Sequence, residues 1–197
     1  EAAVPGVAGR VDLPLPVAAR ARGGGEEPLP GGRERGQAVR GFVRRAEQQA
    51  EVLAGGAAEA VVGDLHDPAA VAAALAGAQA VYHLCPNVHP DEVSIGQTVI
   101  AAAQAAGVRH FVYHSVLHPQ TEDMPHHWRK LRVEEALFQA GLSVTLLQPT
   151  AYMQNLLAGW AAISAQGVYR VPYAAASRLS LVDLRDVAEA AARVLNE

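Results

Sequence analysis

Polar side chains follow five short apolar stretches of this chain, at the places where a ligand-binding sheet would present them. In open parallel sheets the ligand lies beyond the carboxyl ends of the strands, so residues just after a strand are the first candidates for chemistry. These candidates are Arg44, Arg45, Asp64, Leu65, Cys85, Pro86, Asn87, His114, Ser115, Gln148, Pro149 and Thr150. Every sheet also ends its strands in polar residues, so a solvated strand end explains each position equally well when taken alone.

One basic side chain stands out by its type. Lys130 is the only lysine among 16 basic residues, and His126 precedes it by four positions in a stretch of helical character. A spacing of four places both side chains on one helical face. A compact ammonium that shifts its pKa and bonds a hydroxyl suits a functional position, and the alternative is a solvated lysine on a helix surface.

Strand-like and helix-like stretches alternate along the chain from Ala38 onward. Apolar spacing and turn signals predict strands at 38–43, 60–62, 79–84, 108–113, 142–147 and 179–182. They predict helices at 46–54, from the Asp67 cap to Gly77, from about 91 to 106, at 126–140 and at 183–195. Such alternation specifies right-handed crossovers and therefore the α/β class, with a doubly wound parallel sheet and helices on both faces.

The first 36 residues differ in composition from the rest. They contain eight glycines and five prolines, about a third of the segment, which is too many for a regular strand or helix. We expect residues 1–36 to be irregular or disordered and residues 37–197 to form one domain.

The bulk composition narrows the possible functions. Half of the residues are hydrophobic and 18% are charged, as in folded domains. No apolar stretch is long enough to span a bilayer, and no secretion signal is recognisable, so no membrane partner is expected. The single Cys85 has no intramolecular disulfide partner, which favours a cytoplasmic location. A net charge of −4 with scattered arginines disfavours nucleic acid; we expect a small-molecule substrate, with a monomer or a homodimer both open.

Two segments are similar to signatures of the NmrA-like family of atypical short-chain dehydrogenases/reductases. They read His-Phe-Val-Tyr-His-Ser-Val at 110–116 and Leu-Gln-Pro-Thr-Ala-Tyr-Met-Gln-Asn at 147–155. The stretches 39–44 and 63–67 resemble two further segments of the family. The resemblance implies a Rossmann-like NAD(P)-binding fold, with NADP(H) as the preferred cofactor and NAD(H) possible.

The resemblance also implies roles for particular residues. Arg44 would meet the adenosine 2′-phosphate of NADP, a task that suits the planar guanidinium fork, unless it is only a solvated strand end. Asp64 and the backbone at Leu65 would contact the adenine, with helix capping as the alternative for Asp64. The remaining implied cofactor contacts are Cys85, Pro86, Asn87, Lys130, Pro149 and Thr150, and the implied substrate contacts are Tyr152 and Asn155.

The chain departs from the family pattern at the catalytic position. The superfamily carries Tyr-x-x-x-Lys on a helix, and here His126 replaces the tyrosine while Lys130 is kept. An imidazole titrates near 6.5 and a phenol near 10, so the proton for a reduced carbonyl would come from His126, His127 or solvent. Ser115 follows the strand that presents the catalytic serine, and it either orients a substrate oxygen or bonds nearby backbone.

A second departure concerns the glycine-rich fingerprint that holds the pyrophosphate in this superfamily. Only Gly6 and Gly9 lie at a matching interval, and no apolar strand precedes them. One hypothesis is that residues 1 to about 33 come from a shifted reading frame. We also expect an incomplete substrate lobe, because the chain ends soon after the helix that begins near Asp183.

Two functions from different classes fit this pattern. The first is an NAD(P)H-dependent oxidoreductase that reduces a small carbonyl or quinone, with Lys130, His126 and Ser115 as catalytic residues. The alternative is a non-catalytic protein that senses NADP(H), and a damaged gene product that binds nothing is a third outcome. The eight histidines suggest a metal site, but with one cysteine and no His-Glu-x-x-His motif no metal is predicted.

Overall fold

The architecture is given by a computed structural model that describes residues 17–20, 38–171, 173–174 and 176–196. Its strands are β1 (Val17–Arg20), β2 (Ala38–Val43), β3 (Glu59–Val62), β4 (Ala80–His83), β5 (His110–His114), β6 (Ser143–Leu147), β7 (Ala151–Tyr152) and β8 (Leu181–Val182). Its helices are α1 (Glu47–Ala54), α2 (Pro68–Leu75), α3 (Glu92–Ala105), α4 (Pro125–Gln139), α5 (Asn155–Ala158), α6 (Trp160–Gln166) and α7 (Leu184–Val194). Strands and helices alternate from β2 to β6, which confirms the α/β class.

Six strands form the main sheet, in the order β3-β2-β1-β4-β5-β6. This is the strand order of a doubly wound dinucleotide-binding sheet. Pairing is parallel between β2 and β3, between β4 and β5, and between β5 and β6, whereas β1 is antiparallel to both of its neighbours. The predicted parallel sheet is therefore confirmed for β2 to β6, and the antiparallel central strand β1 was not predicted.

Strand β1 lies within the segment predicted to be irregular. Its four residues pair with β2 on one side and β4 on the other, so the composition argument is wrong for Val17–Arg20. The inner edges of β2 and β4 carry N–H and C=O groups that need partners, and a short extended segment between them supplies partners to both. The remainder of residues 1–36 lies outside the described part of the chain.

Helices cover both faces of the main sheet. Side chains alternate between faces along a strand. Phe42 packs into the core with Val71 of α2, whereas a Cβ added at the neighbouring Gly41 would meet Val52 of α1. Helices α2 and α1 therefore lie on opposite faces, which confirms the doubly wound arrangement.

Capping residues and glycines in the sequence determine where the helices begin and end. The Asp67 side chain caps α2 by accepting the backbone N–H of Ala69. Gly107 and Gly141 follow α3 and α4 with φ of +67°, a conformation that glycine adopts without strain. Asp183 caps α7 through the backbone N–H of Arg185. These caps fix where each helix begins and ends relative to the strand beside it.

The segment after β6 contains elements that the sequence pattern does not reveal. Strand β7 pairs in parallel with β8 in a separate two-stranded sheet, and α5 and α6 follow β7. Within the described residues, no helix combines the length and apolar character needed to cross a bilayer.

Candidate functional site

One edge of the main sheet gathers the polar residues singled out from the sequence. The strands β2 to β6 all run in the same direction, since β1 is antiparallel to both β2 and β4. Their carboxyl ends therefore form a single rim. The residues that follow these five strands lie on this rim or directly beneath it.

Arg44 and Asp64 are neighbours on the rim. They follow β2 and β3, whose last residues Val43 and Val62 are paired in register. Arg44 is exposed, and its guanidinium forms no hydrogen bond or ion pair with any residue that the structure describes. The pKa of Asp64 lies below its usual value, chiefly because the His66 backbone N–H donates to it and to a small extent because of Arg44.

A chain of hydrogen bonds joins the loop after β3 to the loop after β4. Asp64 Oδ1 accepts the backbone N–H of His66 at 2.9 Å and lies 2.9 Å from the His66 ring Nδ1. The other ring nitrogen, Nε2, lies 3.2 Å from Asp91 Oδ2. Asp64, and secondarily Asp91, raise the pKa of His66 through these contacts. The Asp64 carboxylate is therefore held in place rather than free to rotate.

The predicted cofactor contacts around these loops differ in exposure. Cys85 is buried, and burial raises the pKa of its thiol, so only its backbone can face a ligand. Pro86 and Asn87 are exposed on the rim. Leu65 is partly buried and packs against the core.

Lys130 lies beneath the rim in a buried ion pair. Its Nζ donates to Glu92 Oε1 at 2.9 Å and to the His114 carbonyl oxygen at 3.2 Å. The Tyr113 hydroxyl donates to the same Glu92 oxygen at 2.7 Å, and the Lys130 and Glu92 side chains are only 9% and 2% exposed. Two of the three ammonium N–H groups are thus bound by the protein itself.

Ser115 is also engaged beneath the rim. Its hydroxyl donates to Glu134 Oε1, and Gln148 Nε2 donates to the same oxygen at 2.9 Å. Both Ser115 and Glu134 are buried. The Ser115 hydroxyl therefore bonds a buried carboxylate and not the nearby backbone; its role toward a substrate stays a prediction.

A buried histidine connects two tyrosines under the rim. His114 Nδ1 is hydrogen-bonded to the Tyr82 hydroxyl, and Nε2 lies 2.6 Å from the Tyr152 hydroxyl. Burial, reinforced by the Lys130 charge, lowers the pKa of His114 to about 4. The ring is therefore neutral at pH 7, with one N–H and one lone pair, so one tyrosine donates to it and the other accepts from it.

His126 begins α4 beside a second histidine. The rings of His126 and His127 meet edge to face with centroids 4.5 Å apart. Burial and then the neighbouring His127 lower the pKa of His126. The His126 ring is therefore protonated less often at neutral pH than an ordinary histidine.

The residues after β6 lie beside α7. Leu147, Pro149 and Thr150 line a surface cavity of about 250 Å³ together with residues of α7. Thr150 Oγ1 donates to the Ser180 carbonyl oxygen at 2.6 Å, and Asn155 is exposed at the start of α5. Tyr152 contacts His114 at the end of β5, and the Leu117 backbone N–H donates to the Pro149 carbonyl oxygen at 2.9 Å.

The structure also reveals polar residues that the sequence reasoning missed. Glu92 and Glu134 are the buried carboxylates that bind Lys130 and Ser115, and Tyr82 completes the contact with His114. An acidic residue in the first turn of a helix is ordinary, so Glu92 carried no signal of burial. His66, His89 and Asp91 form a further cluster on the rim, although no metal site was predicted from the sequence.

His83 is an unusual core residue. It is fully buried, and within the described residues neither ring nitrogen has a hydrogen-bond partner. Its ring stacks on Tyr113 with centroids 5.7 Å apart. Burial, with a further contribution from Lys130, lowers the pKa of His83 to about 3, so the folded state holds it neutral.

Comparison with known proteins identifies relatives that share this architecture. A model of the NmrA-like family matches residues 33–197. An NAD(P)H azoreductase of Xenophilus azovorans is 33% identical over 157 residues, which are 79% of this chain and 54% of that protein. Quinone oxidoreductase 2 of Escherichia coli is 31% identical over 68% of this chain and 46% of its own length.

Two solved structures also resemble this chain. An NADPH-dependent quinone oxidoreductase of Escherichia coli, in complex with NADPH, matches with a TM-score of 0.71 and 30% identity over 80% of this chain and 55% of that chain. The triphenylmethane reductase of Citrobacter sp., in complex with NADP(H), matches with a TM-score of 0.70 and 25% identity, covering 80% of this chain and 56% of that one. The chain therefore spans about half the length of these relatives.

Replacing His83 by leucine tests the cost of burying this histidine. Below pH 6.5 His83 binds a proton in the unfolded chain but not in the folded protein. The free energy of unfolding therefore falls as the pH drops from about 6.5 toward 3. Between pH 7.5 and pH 5 this amounts to about 2 kcal/mol. His83→Leu should remove that loss and, by deleting an unsatisfied polar group, should match or exceed the parent's stability at pH 7.5.

Urea unfolding of both proteins at pH 5 and pH 7.5 measures the effect. His118→Asn is the matched control, because it removes an exposed histidine at a position where Asn tolerates the φ of 57°; it should keep the parent's acid sensitivity. An acid sensitivity equally large in His83→Leu would show that His83 is protonated or solvated in the folded protein.

Proposed function

This chain belongs to the NmrA-like family, and on that premise we propose that it binds NADP(H) at the carboxyl rim and reduces a small quinone, azo or carbonyl compound. Three of its relatives are named for an azo, a quinone and a triphenylmethane substrate, so a flat conjugated acceptor is the substrate class that we favour. The proposal places the protein in the cytoplasm with a small-molecule substrate.

The observation that carries the proposal is the exposed guanidinium of Arg44, unpaired among the described residues, beside the Asp64 carboxylate that His66 holds in place. An exposed arginine at the end of β2 offers its planar fork to a phosphate dianion. Asp64, after the adjacent strand, is an acceptor held in one orientation by His66. The Arg44 cation would contact the 2′-phosphate of NADP(H), and the Asp64 acceptor would contact its adenine. NAD(H) would bind there without the phosphate contact.

The other proposed cofactor contacts follow the rim toward β6. The backbone of Leu65 and Cys85, the exposed Pro86 and Asn87, and Pro149 with Thr150 would line the dinucleotide. Lys130 retains one N–H beyond its bonds to Glu92 and His114 among the described residues, which is what a ribose hydroxyl requires.

When bound, the cofactor supplies a hydride, and the protein must supply a proton. Ser115 and Lys130 are tied to buried carboxylates, and the lowered pKa of His126 makes it a weak store of protons. We assign the proton to Tyr152, which lies in the segment that the family resemblance links to the substrate. His126, the donor drawn from the sequence, remains the rival assignment.

The contacts of His114 explain how Tyr152 could act as an acid. Burial raises the pKa of Tyr152 to about 12, so a lone phenolate is unfavourable. As Tyr152 releases its proton to the reduced substrate, the Nε2–H of His114 would donate a hydrogen bond to the phenolate oxygen, and the Tyr82 hydroxyl would donate one to Nδ1. Solvent then reprotonates Tyr152, which is only partly buried.

A second candidate function is a non-catalytic sensor of NADP(H). The observation that favours it is the engagement of Lys130 and Ser115 by buried carboxylates, together with a histidine at position 126. A sensor would bind NADPH without oxidising it in the presence of quinones, azo dyes or aldehydes. Turnover of any of these acceptors would exclude a purely sensing role.

Arg44→Ala tests the cofactor assignment. Loss of a charged contact to the 2′-phosphate should weaken NADPH binding about 10- to 100-fold and leave NADH binding nearly unchanged. Titration with both nucleotides, followed by calorimetry, measures the two affinities. Arg45→Ala is the matched control, because Arg45 is exposed at the next position. Equal NADPH affinity in Arg44→Ala and the parent would show that Arg44 does not contact the cofactor.

Tyr152→Phe tests the proton assignment. Loss of the acid should lower kcat about 10²- to 10⁴-fold while the dissociation constant for NADPH stays the same. The solvent deuterium effect on kcat should change in the same variant, because the proton then comes from water. Tyr173→Phe, at an exposed tyrosine, is the control. A collapse of kcat in His126→Ala with full activity in Tyr152→Phe would assign the proton to His126 instead.

A further inference from the structure

We propose a divalent transition-metal site, suited to Zn²⁺, formed by His66, His89 and Asp91 on the two loops that follow β3 and β4. One ligand atom of each residue lies within 4.8 Å of the other two. The proposal is independent of the proposed oxidoreductase function, because none of the three residues is a proposed contact of the cofactor or the substrate.

The spacing between two of the ligand atoms already matches a metal site. His66 Nε2 and Asp91 Oδ2 are 3.2 Å apart. Two ligands bound at about 2.0–2.2 Å to a tetrahedral Zn²⁺ lie about 3.4 Å from each other. The two loops therefore need little movement to place both atoms on one ion.

A carboxylate behind His66 prepares this histidine for metal binding. Asp64 Oδ1 lies 2.9 Å from His66 Nδ1 and Asp91 Oδ2 lies 3.2 Å from Nε2; a carboxylate can only accept, so both nitrogens donate when the ring is protonated. A metal ion would take the place of the Nε2 proton between His66 and Asp91, while Nδ1–H keeps its bond to Asp64. Metal-binding histidines commonly bond a carboxylate through the other ring nitrogen in this way.

The third ligand is also held in position. The backbone N–H of Asp91 donates to His89 Nδ1 at 3.1 Å, which identifies Nδ1 as an unprotonated nitrogen whose lone pair accepts this bond. The His89 and His66 rings have centroids 5.4 Å apart. On binding, Nδ1 exchanges a long backbone hydrogen bond for the ion.

The ligand set indicates the kind of metal. Two imidazole nitrogens and one carboxylate oxygen suit borderline ions such as Zn²⁺, which would keep its fourth position for water. Ca²⁺ and Mg²⁺ prefer sites made of oxygen atoms. Since His66 precedes α2, and His89 and Asp91 precede α3, one ion would cross-link the two rim loops.

Zn²⁺ titration of the tag-free, full-length protein by calorimetry tests the site, with Co²⁺ and visible spectroscopy as a second readout of coordination. We expect one Zn²⁺ per chain. His66→Ala, His89→Ala and Asp91→Asn should each abolish stoichiometric binding, and Asp64→Asn, which leaves the three ligands in place but removes the carboxylate behind His66, should weaken it about 10- to 100-fold. Far-UV circular dichroism confirms that each variant is folded.

The double variant His126→Ala/His127→Ala is the matched control. These two rings are also adjacent, but neither is a proposed ligand, so they should not be needed for binding. Failure of the parent to bind Zn²⁺ at one equivalent, or binding that survives in His66→Ala and His89→Ala, would overturn the proposal. NADPH affinity measured on His89→Ala reports on the proposed function separately, because His89 is not a proposed cofactor contact.

Discussion

The buried ion pair between Lys130 and Glu92 is the interaction on which the rim depends. Glu92 begins α3, Lys130 lies in α4, and their partners Tyr113 and His114 end β5. Two charges removed from water are tolerated only when every partner is in place. The Lys130 ammonium, 5.3 Å from the centre of the Tyr113 ring, therefore fixes the start of α3, the second turn of α4 and the end of β5 relative to each other.

The same rule organises the other polar groups beneath the rim. Ser115 and Gln148 share the carboxylate of Glu134, and His114 bonds one tyrosine on each side. Among the described residues His83 is the exception, and burial, with a smaller contribution from the Lys130 charge, keeps its ring neutral. The other polar side chains beneath the rim thus form hydrogen bonds with one another. On the rim itself, by contrast, Arg44 is exposed.

Much of the fold can be predicted from the sequence because it depends on local signals. The apolar run that forms β2, the Asp67 cap of α2, and the glycines Gly107 and Gly141 behind α3 and α4 each act within a few residues. The direction of β1 was not predictable in this way. It depends on the two strand edges on either side of it, and those strands are distant in the sequence.

The candidate site was predictable only in outline. Position after a strand placed Arg44, Asp64 and Asn87 on the rim, because the carboxyl ends of parallel strands meet at one edge. The partners of the buried groups were not predictable, since Glu92 is 38 residues from Lys130 and Tyr152 is 38 residues from His114. The contact of His66 with Asp91 likewise spans 25 residues. Such pairs are set by tertiary packing, which leaves no trace in local spacing.

A double-mutant cycle on Lys130 and Glu92 tests this account most directly. The unfolding free energies of the parent, Lys130→Met, Glu92→Gln and the double variant would be measured in urea. Each single change should lower the unfolding free energy by about 3–5 kcal/mol, because it leaves one buried charge unpaired, and the double variant should lose much less than the sum. Additive losses, to within about 0.5 kcal/mol, would show that the two side chains do not interact in the folded protein.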